Sequence, residues 1–242
     1  MKRIRLTQEQ ISKVQKIVGR HKSYSSLSTS RVDAFEFTKN IGIKICPYCN
    51  INYIYTIYEE EGKPDVRPDI DHFSPKSLFP DLQLNPMNLV PSCLVCNERL
   101  KRDIPFCRAR YLHPYYDDFD SIMEFKLDFL DFRASDYLDA ENFKIIFHKR
   151  EDAKEDDLKR ANRNIDVFKL EERYQQHKDT VINLLSRIRA YNTYKNQEIA
   201  SLIYGNLKSS ISLSLLFPEM NCEINQTSLG KLKRDVLHDY LK

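Results

Sequence analysis

The chain has 242 residues, of which 41% are hydrophobic and 30% are charged, with a formal net charge of +3 at pH 7. This composition allows a large folded core, and the small net charge does not by itself indicate a nucleic-acid partner. The longest apolar runs are too short to span a membrane and no apolar leader follows the first residues, so we expect a cytoplasmic protein without membrane contact.

The charges are unevenly distributed. Residues 1–32 contain eight Lys or Arg and one acid, whereas residues 117–141 contain nine acids and two basic residues. This asymmetry indicates either surfaces with different partners or one end of the chain folding onto the other. Two solvated faces without partners remain the alternative.

Helices are predicted for the N-terminal segment, 1–45. Thr7 and Gln10 have the spacing of a capping box and precede apolar residues at helical intervals. A loop rich in Ser and Thr follows over 23–30, and a second helix is predicted over 31–41.

The central segment, 46–116, predicts a β-hairpin followed by a short helix. Residues 51–58 are rich in β-branched and aromatic side chains, and 66–71 would be their hairpin partner. Two proline-rich loops follow, and then a helix from about 93 to 103.

The C-terminal segment, 117–242, begins with an acidic and aromatic connector. It continues with a predicted strand over 143–148, a helical pattern over 171–206 and a last helix over 228–241. The sequence therefore predicts an α+β chain of three parts: N-terminal helices, a small core that contains the strands, and a mainly helical C-terminal region.

Two Cys-x-x-Cys pairs lie in the central segment, Cys46 with Cys49 and Cys93 with Cys96. Four thiolates close a tetrahedron around zinc, and a two-residue gap lets one turn supply two of them. In a reducing compartment this pattern favours a metal over disulfides. We expect a structural zinc ion, with packed free thiols as the alternative.

A second group of polar residues lies between and just after the cysteine pairs. Asn97 and Lys101 are four residues apart, so a helix would place them on one face, with Asn97 next to Asp71 at the end of a strand. Oxygen atoms of Asp71 and Asn97 are ligands that Mg²⁺ prefers. His72, as a neutral imidazole, can take a proton from an attacking water.

These residues resemble the HNH endonucleases, which have a ββα-metal core. The resemblance covers about residues 46–103 and rests on Asp71-His72, Asn88 and Asn97, framed by the cysteine pairs. It implies that His72 is the general base and that Asp71 and Asn97 bind the catalytic divalent cation. It also implies that Asn88 is the middle asparagine, which ties down the loop between the strands and so orients the histidine.

The chain departs from the three-histidine variants of this family at two positions. Asp71 replaces a metal-binding histidine, and Lys101 stands where some members have a last histidine ligand. A protonated lysine cannot bind a metal, so we expect Lys101 to contact the scissile or an adjacent phosphate. The loss of nitrogen ligands favours Mg²⁺ or Mn²⁺ as the catalytic ion.

The surroundings of the motif resemble a narrower group, the HNH subunits of Septu-type and retron-associated anti-phage systems. The residues that carry this resemblance extend from Asp71 to Cys93, with a further match at His113-Pro114-Tyr115. It implies a partner ATPase of the ABC or SMC-like type. The region after residue 117 would be its docking surface, or alternatively a helical domain that covers the nuclease core.

Substrate binding is expected to follow the phosphate backbone. The helix predicted from about 93 to 103 is called the motif helix below. Four arginines lie on it or just after it, together with Lys101: Arg99, Arg102, Arg108 and Arg110. The sequence therefore predicts a metal-dependent endonuclease acting on DNA. A non-catalytic zinc adaptor that binds nucleic acid or protein and a nuclease acting on RNA remain alternatives.

Overall fold

The chain forms two compact units in a computed structural model. The structure describes residues 1–59, 62–130, 139–190, 217–221 and 223–241. The first unit comprises 1–123, 149–170 and 224–228, and the second comprises 124–148, 171–223 and 229–242. The predicted boundaries at 45 and 116 both fall within the first unit. No helix among the described residues has the length and apolar content that crossing a membrane requires.

The first unit begins with the predicted helices α1 (Gln8–Val18) and α3 (Asp33–Ile41). The capping box at α1 is confirmed, because the Thr7 hydroxyl accepts from the Gln10 backbone and the Gln10 side chain accepts from the Thr7 backbone. Gly42 ends α3 with φ of 71°, a left-handed conformation that glycine adopts at little cost.

The predicted loop over 23–30 contains a short helix, α2 (Tyr24–Thr29). The Ser23 hydroxyl accepts a hydrogen bond from the Ser26 backbone and caps this helix. A run of Ser and Thr supplies such caps as readily as it supplies turns, so composition alone indicated the wrong structure here.

The predicted hairpin between 51–58 and 66–71 is wrong in most of its length. Only β1 (Ile57–Tyr58) is a strand in the first range, and it pairs with β2 (Pro64–Val66) in antiparallel fashion. Residues 51–56 form no strand, and their one β-bridge pairs Tyr53 with Ile45. High β-propensity there reflects half-buried packing instead of a ladder.

The hairpin that precedes the motif helix is formed by β3 (Asp69–His72) and β4 (Leu89–Ser92). Their antiparallel register places Asp69 opposite Ser92 and Asp71 opposite Val90. The connection carries two 3₁₀ turns that begin at prolines, where the fixed φ of proline suits a first helical position.

A π-helix, Val95–Lys101, follows β4 where the sequence predicts a short helix. The backbone N–H of Arg102 donates to the carbonyl of Asn97, five residues earlier, at 2.9 Å. Arg102 itself has φ of 47° and ψ of −126°, a conformation that is strained for a residue with a Cβ atom. The helix ends at Lys101, two residues before the predicted end at about 103.

Helix α4 (Glu155–Phe168) packs within the first unit. The Asn164 side chain pairs with both backbone groups of Leu112, at 3.0 and 3.2 Å. The ring of Phe168 stacks on that of Tyr48 with 4.7 Å between centroids. The stack of Phe168 on Tyr48 packs the first cysteine turn, which contains Tyr48, against the buried face of α4.

In the second unit, β5 (Met123–Phe129) and β6 (Phe143–Lys149) form a two-stranded sheet. The predicted strand over 143–148 is confirmed. Strand β5 lies in the predicted connector, where the sequence alternates buried aromatic and apolar residues with charged ones. The charged residues are the polar positions of this period-2 pattern, which the prediction of a connector from acidic composition overlooked.

The other described elements of the second unit are α5 (Leu170–Gln175), α6 (Lys178–Ala190) and α7 (Gly230–Tyr240). Helix α7 confirms the last predicted helix. The pattern over 171–206 is interrupted between α5 and α6, and its part after residue 190 lies outside the described residues. Asp235 of α7 accepts from the Phe125 backbone at 3.0 Å and from Lys231 at 2.8 Å.

His113 is a buried histidine of the first unit. Its ring lies 4.1 Å from that of Phe73, and its Nδ1 accepts from the Tyr115 backbone at 3.1 Å. Burial, aided by the nearby Arg108 charge, lowers the pKa of His113 to about 3. The imidazole is therefore neutral at physiological pH and serves packing.

This burial predicts a pH dependence of stability. Below pH 6.5 the unfolded chain binds a proton at His113 and the folded chain does not until about pH 3, so the free energy of unfolding falls as pH falls. We expect His113→Asn, which keeps an acceptor for the Tyr115 backbone, to reduce this slope by up to about 1.4 kcal/mol per pH unit.

Urea unfolding at pH 7, 5.5 and 4.5 measures the slope. The control is His148→Asn, at a histidine whose side chain is 56% exposed. Equal slopes in the His113 variant and the unchanged protein would contradict the assignment.

Candidate metal centre and catalytic cluster

Four buried sulfur atoms form one cluster in the first unit. Cys46, Cys49, Cys93 and Cys96 place their Sγ atoms within 4.8 Å of one another. A tetrahedron with zinc–sulfur bonds of about 2.3 Å has sulfurs about 3.8 Å apart, so only a small contraction separates the cluster from that geometry. The four cysteines could hold a zinc ion.

The local backbone directs these sulfurs inward. The Asn50 backbone donates to the Cys46 carbonyl at 2.8 Å, and Asn50 adopts φ of 56°, a left-handed conformation that asparagine tolerates. Backbone N–H groups of Ile51 and Cys93 point at the sulfurs of Cys49 and Cys46, both at 3.4 Å. Such donors stabilise negative charge on sulfur.

Negative charge on the four sulfurs of the cluster requires a cation beside them. Burial, together with hydrogen bonds from the other three sulfurs, raises the pKa of the Cys46 thiol well above its usual range. Four thiolates cannot share this space without a positive charge, and a bound metal supplies it while protons are released. The donor set and its burial therefore suit a structural ion with no open position.

Tyr48, between the first two cysteines, reaches from this cluster to the predicted site residue Asp71. Its hydroxyl donates to Asp71 Oδ2 at 2.6 Å, and both side chains are buried. A neutral hydroxyl donor holds one carboxylate oxygen and leaves its charge in place. The cysteine turn thus positions the carboxylate directly.

Lys101 pairs with the other oxygen of Asp71. The ammonium Nζ lies 2.9 Å from Asp71 Oδ1 and 2.7 Å from the His72 carbonyl, and the two side chains are only 1% and 5% exposed. The expected contact between Lys101 and a phosphate is therefore not made in this arrangement, because the ammonium has almost no surface to offer. Removing one partner of such a pair costs about 3–5 kcal/mol.

Asn97 contacts Asp69 and not Asp71. Its Nδ2 lies 3.3 Å from Asp69 Oδ2, so Asn97 and Lys101 engage alternate carboxylates of β3. Residues two apart on a strand share a face, which explains why both carboxylates meet the π-helix. Ser92, opposite Asp69 in β4, has a buried Oγ for which the described structure contains no hydrogen-bond partner.

His72 leaves β3 on the opposite face. Its Nε2 lies 3.0 Å from the Gln83 carbonyl, and its ring lies 4.2 Å from that of Tyr24 in an edge-on contact. Burial lowers the pKa of His72, although the Gln83 hydrogen bond and the Asp71 charge oppose this. A carbonyl only accepts, so the neutral ring carries its proton on Nε2 and Nδ1 is the nitrogen that can accept one.

Asn88 connects the two ends of the loop between β3 and β4. Its Oδ1 accepts from the Ser74 backbone at 2.8 Å, and its Nδ2 donates to the carbonyls of Ser74 and Leu82 at 3.0 and 3.2 Å. Leu82 immediately precedes Gln83, whose carbonyl holds His72. The side chain of Asn88 therefore fixes the backbone that orients the imidazole.

The four predicted phosphate-binding arginines are exposed: Arg99, Arg102, Arg108 and Arg110. The guanidinium of Arg108 lies over the ring of Tyr116 at 4.1 Å, which restricts its motion. Exposure leaves these side chains accessible to a polyanion.

Sequence reasoning missed three contributors to this site: Tyr48, Asp69 and Gln83. The position of Tyr48 could have indicated its role, because a residue between the two cysteines of a turn lies close to the segments that pack against that turn. The position of Asp69 could have done the same, since it shares a strand face with Asp71. Gln83 gave no such indication, because its contribution is a backbone carbonyl.

No protein-family model, curated protein or solved structure matches the chain.

Loss of the metal should unfold the first unit. We expect the purified protein to contain about one zinc per chain, and Cys46→Ser or Cys93→Ser to lose both the zinc and cooperative unfolding. The reason is that structural zinc contributes about 10–16 kcal/mol in small sites, comparable with the whole stability of a domain.

Elemental analysis and thermal unfolding test this expectation. Cys107→Ser is the matched control, because Cys107 is a half-buried cysteine outside the cluster. A quadruple Ser variant of the cluster that unfolds like the unchanged protein would refute the site.

Proposed function

We propose that the chain is a metal-dependent endonuclease of the HNH type that hydrolyses phosphodiester bonds of DNA. The observation that carries the proposal is the environment of His72. This histidine ends one strand of a hairpin, its ring is fixed by the Gln83 carbonyl, and Asn88 ties the loop that supplies this carbonyl. The order strand, loop, strand, helix is the order that a ββα-metal core requires.

In the proposed reaction, His72 is the general base. With the proton on Nε2 donated to the Gln83 carbonyl, Nδ1 accepts the proton of the water that attacks phosphorus. The fixed ring needs no reorientation as it becomes charged. The Gln83 carbonyl then stabilises the imidazolium through the same hydrogen bond.

The oxygen-rich face of β3 and the π-helix suits a hard divalent cation. The Lys101 ammonium already occupies a position between a carboxylate oxygen of Asp71 and a backbone carbonyl, so this point accepts a positive charge. Asp71 and Asn97 would hold Mg²⁺ or Mn²⁺, with Asp69 beside them. When bound there, such an ion would supply positive charge to the phosphoryl and leaving oxygens.

The exposed arginines near the π-helix would bind the phosphate backbone without reading bases. The resemblance to anti-phage subunits supports a further part of the proposal. In it, the chain is the nuclease effector of a bacterial defence system, and an ABC or SMC-like ATPase partner restrains or delivers it.

A non-catalytic zinc adaptor is the second candidate, and one observation favours it. Both oxygens of Asp71 are already engaged, by Tyr48 and Lys101, as in a purely structural ion pair. The adaptor has no use, however, for a histidine whose tautomer is fixed on an oriented loop. Cleavage assays decide between the two.

Replacement of the base should strongly slow cleavage. We expect His72→Ala to nick supercoiled plasmid in Mg²⁺ about 10²–10⁴-fold more slowly than the unchanged protein, because general-base catalysis contributes about that factor. Its zinc content and thermal unfolding should remain close to those of the unchanged protein.

His148→Ala, at an exposed histidine, is the control and should cleave normally. Parallel assays with matched DNA and RNA duplexes identify the substrate class. Cleavage by His72→Ala at the rate of the unchanged protein would exclude this residue as the base.

DNA binding should depend steeply on salt. We expect Arg108→Gln with Arg110→Gln to weaken binding and to reduce the slope of log K against log [salt] by about 2, since each phosphate contact contributes about 0.9. Arg150→Gln is the control, because the Arg150 guanidinium is engaged by the Asp120 carbonyl at 2.7 Å. An unchanged slope would show that these arginines do not contact phosphates.

A further inference from the structure

We propose that the ammonium group of Lys101 is a built-in counter-ion that keeps the cation site closed, and that a divalent cation binds Asp71 only by displacing it. This inference rests on the proposed function, since it concerns the cation site assigned there. It adds a mechanism of regulation: the site is charge-balanced without metal, and metal and lysine are mutually exclusive.

The Lys101 ammonium already occupies a buried position between oxygen atoms. It lies 2.9 Å from Asp71 Oδ1 and 2.7 Å from the His72 carbonyl, and the Phe106 ring faces it at 5.2 Å. The two oxygen atoms, which accept hydrogen bonds from the ammonium, and the ring face form a cation-binding pocket. A divalent ion bound to Asp71 Oδ1 would lie close to the Lys101 ammonium, and the two positive charges would repel each other strongly in this buried site.

The other carboxylate oxygen of Asp71 is held independently of Lys101. The Tyr48 hydroxyl, fixed by its position between Cys46 and Cys49, donates to Asp71 Oδ2 at 2.6 Å. This donor is neutral, so it is compatible with either cation at Oδ1. The carboxylate therefore keeps its orientation while the positive charge beside it is exchanged.

The backbone around Lys101 has a strained conformation that a movement of Lys101 would relieve. Lys101 ends the π-helix, and Arg102, the next residue, is strained with φ of 47°. Tightening this segment from five-residue to four-residue hydrogen bonds would rotate Lys101 about the helix axis and would let Arg102 relax. The released ammonium would then be available to a substrate phosphate.

The first experiment measures Mn²⁺ binding to the zinc-loaded protein by electron paramagnetic resonance of free Mn²⁺. We expect Lys101→Met to bind Mn²⁺ at least about tenfold more tightly than the unchanged protein, because no competing cation has to leave. The double variant Asp71→Asn with Lys101→Met removes both charges and should lose this binding. Equal Mn²⁺ affinity of Lys101→Met and the unchanged protein would overturn the proposal.

The second experiment needs no variant, so it holds even if Lys101→Met fails to fold. Lysine acetylation with a soluble ester is followed by mass spectrometry with and without Mg²⁺. We expect Mg²⁺ to raise the acetylation of Lys101 at least about threefold, as the ammonium leaves its buried position. Lys231, a buried lysine paired with Asp235, is the matched control and should not respond.

Lys101 that stays equally protected with and without Mg²⁺ would overturn the exchange. The outcomes also separate this inference from the proposed function. Hydrolysis of DNA in Mg²⁺ with Lys101 still protected would leave the nuclease in place and remove the exchange. Displacement of Lys101 by Mn²⁺ or Mg²⁺ without any phosphodiester cleavage would support the exchange and remove the nuclease.

Discussion

The charge of four buried sulfurs is the constraint on which the candidate site depends. These sulfurs come from a turn at 46–49 and from a second pair at the start of the π-helix, and the β3–β4 hairpin lies between them in the sequence. A cation that neutralises them fastens the two ends of this segment together. Tyr48 extends the effect, because its hydroxyl reaches Asp71 from inside the first turn. Binding of a metal at the four cysteines would therefore be coupled to the position of the Asp71 carboxylate through the Tyr48 side chain.

The pair formed by Asp71 and Lys101 is difficult to explain by stability alone. Burying both charges costs several kcal/mol in desolvation, and well-packed apolar residues of similar volume often stabilise a core equally well or better. A charged pair in such a position is more typical of a site where the charge has a use. The Asp69 carboxylate lies on the same face of β3 and accepts a hydrogen bond from Asn97, so it adds negative charge beside Asp71. Among the described residues, Lys101 supplies the only short contact between a cation and Asp71. Both observations support a use for this charge.

Sequence patterns predicted some of these features and missed others for physical reasons. Caps and stops are local, so Thr7, Gln10 and Gly42 located two helices correctly. The cysteine cluster was also predictable, because the spacing within each pair is set by the ion. Strand pairing is not local: the residues at 51–58 have strong β-propensity, yet the hairpin beside the motif helix uses Asp69–His72, whose charged side chains have low propensity. Asn97 was expected next to Asp71, and its side chain donates to Asp69 instead, two residues earlier in β3. Which carboxylate of the strand meets a helix residue depends on how the strand and the helix are aligned, and this alignment is not local in the sequence.

The two faces of β3 divide the proposed chemistry. Adjacent strand residues point in opposite directions, so Asp71 faces the π-helix while His72 faces Tyr24 and the loop held by Asn88. In-line displacement at phosphorus also needs two opposed positions, one for the attacking water and one for the leaving oxygen. A phosphodiester at the end of β3 would meet the imidazole Nδ1 on one side and the carboxylate on the other. Because Lys101 donates to the carbonyl of His72 as well as to Asp71, its departure would free backbone and carboxylate oxygens together. The exchange of cations at Asp71 would then also adjust the strand end that carries the base.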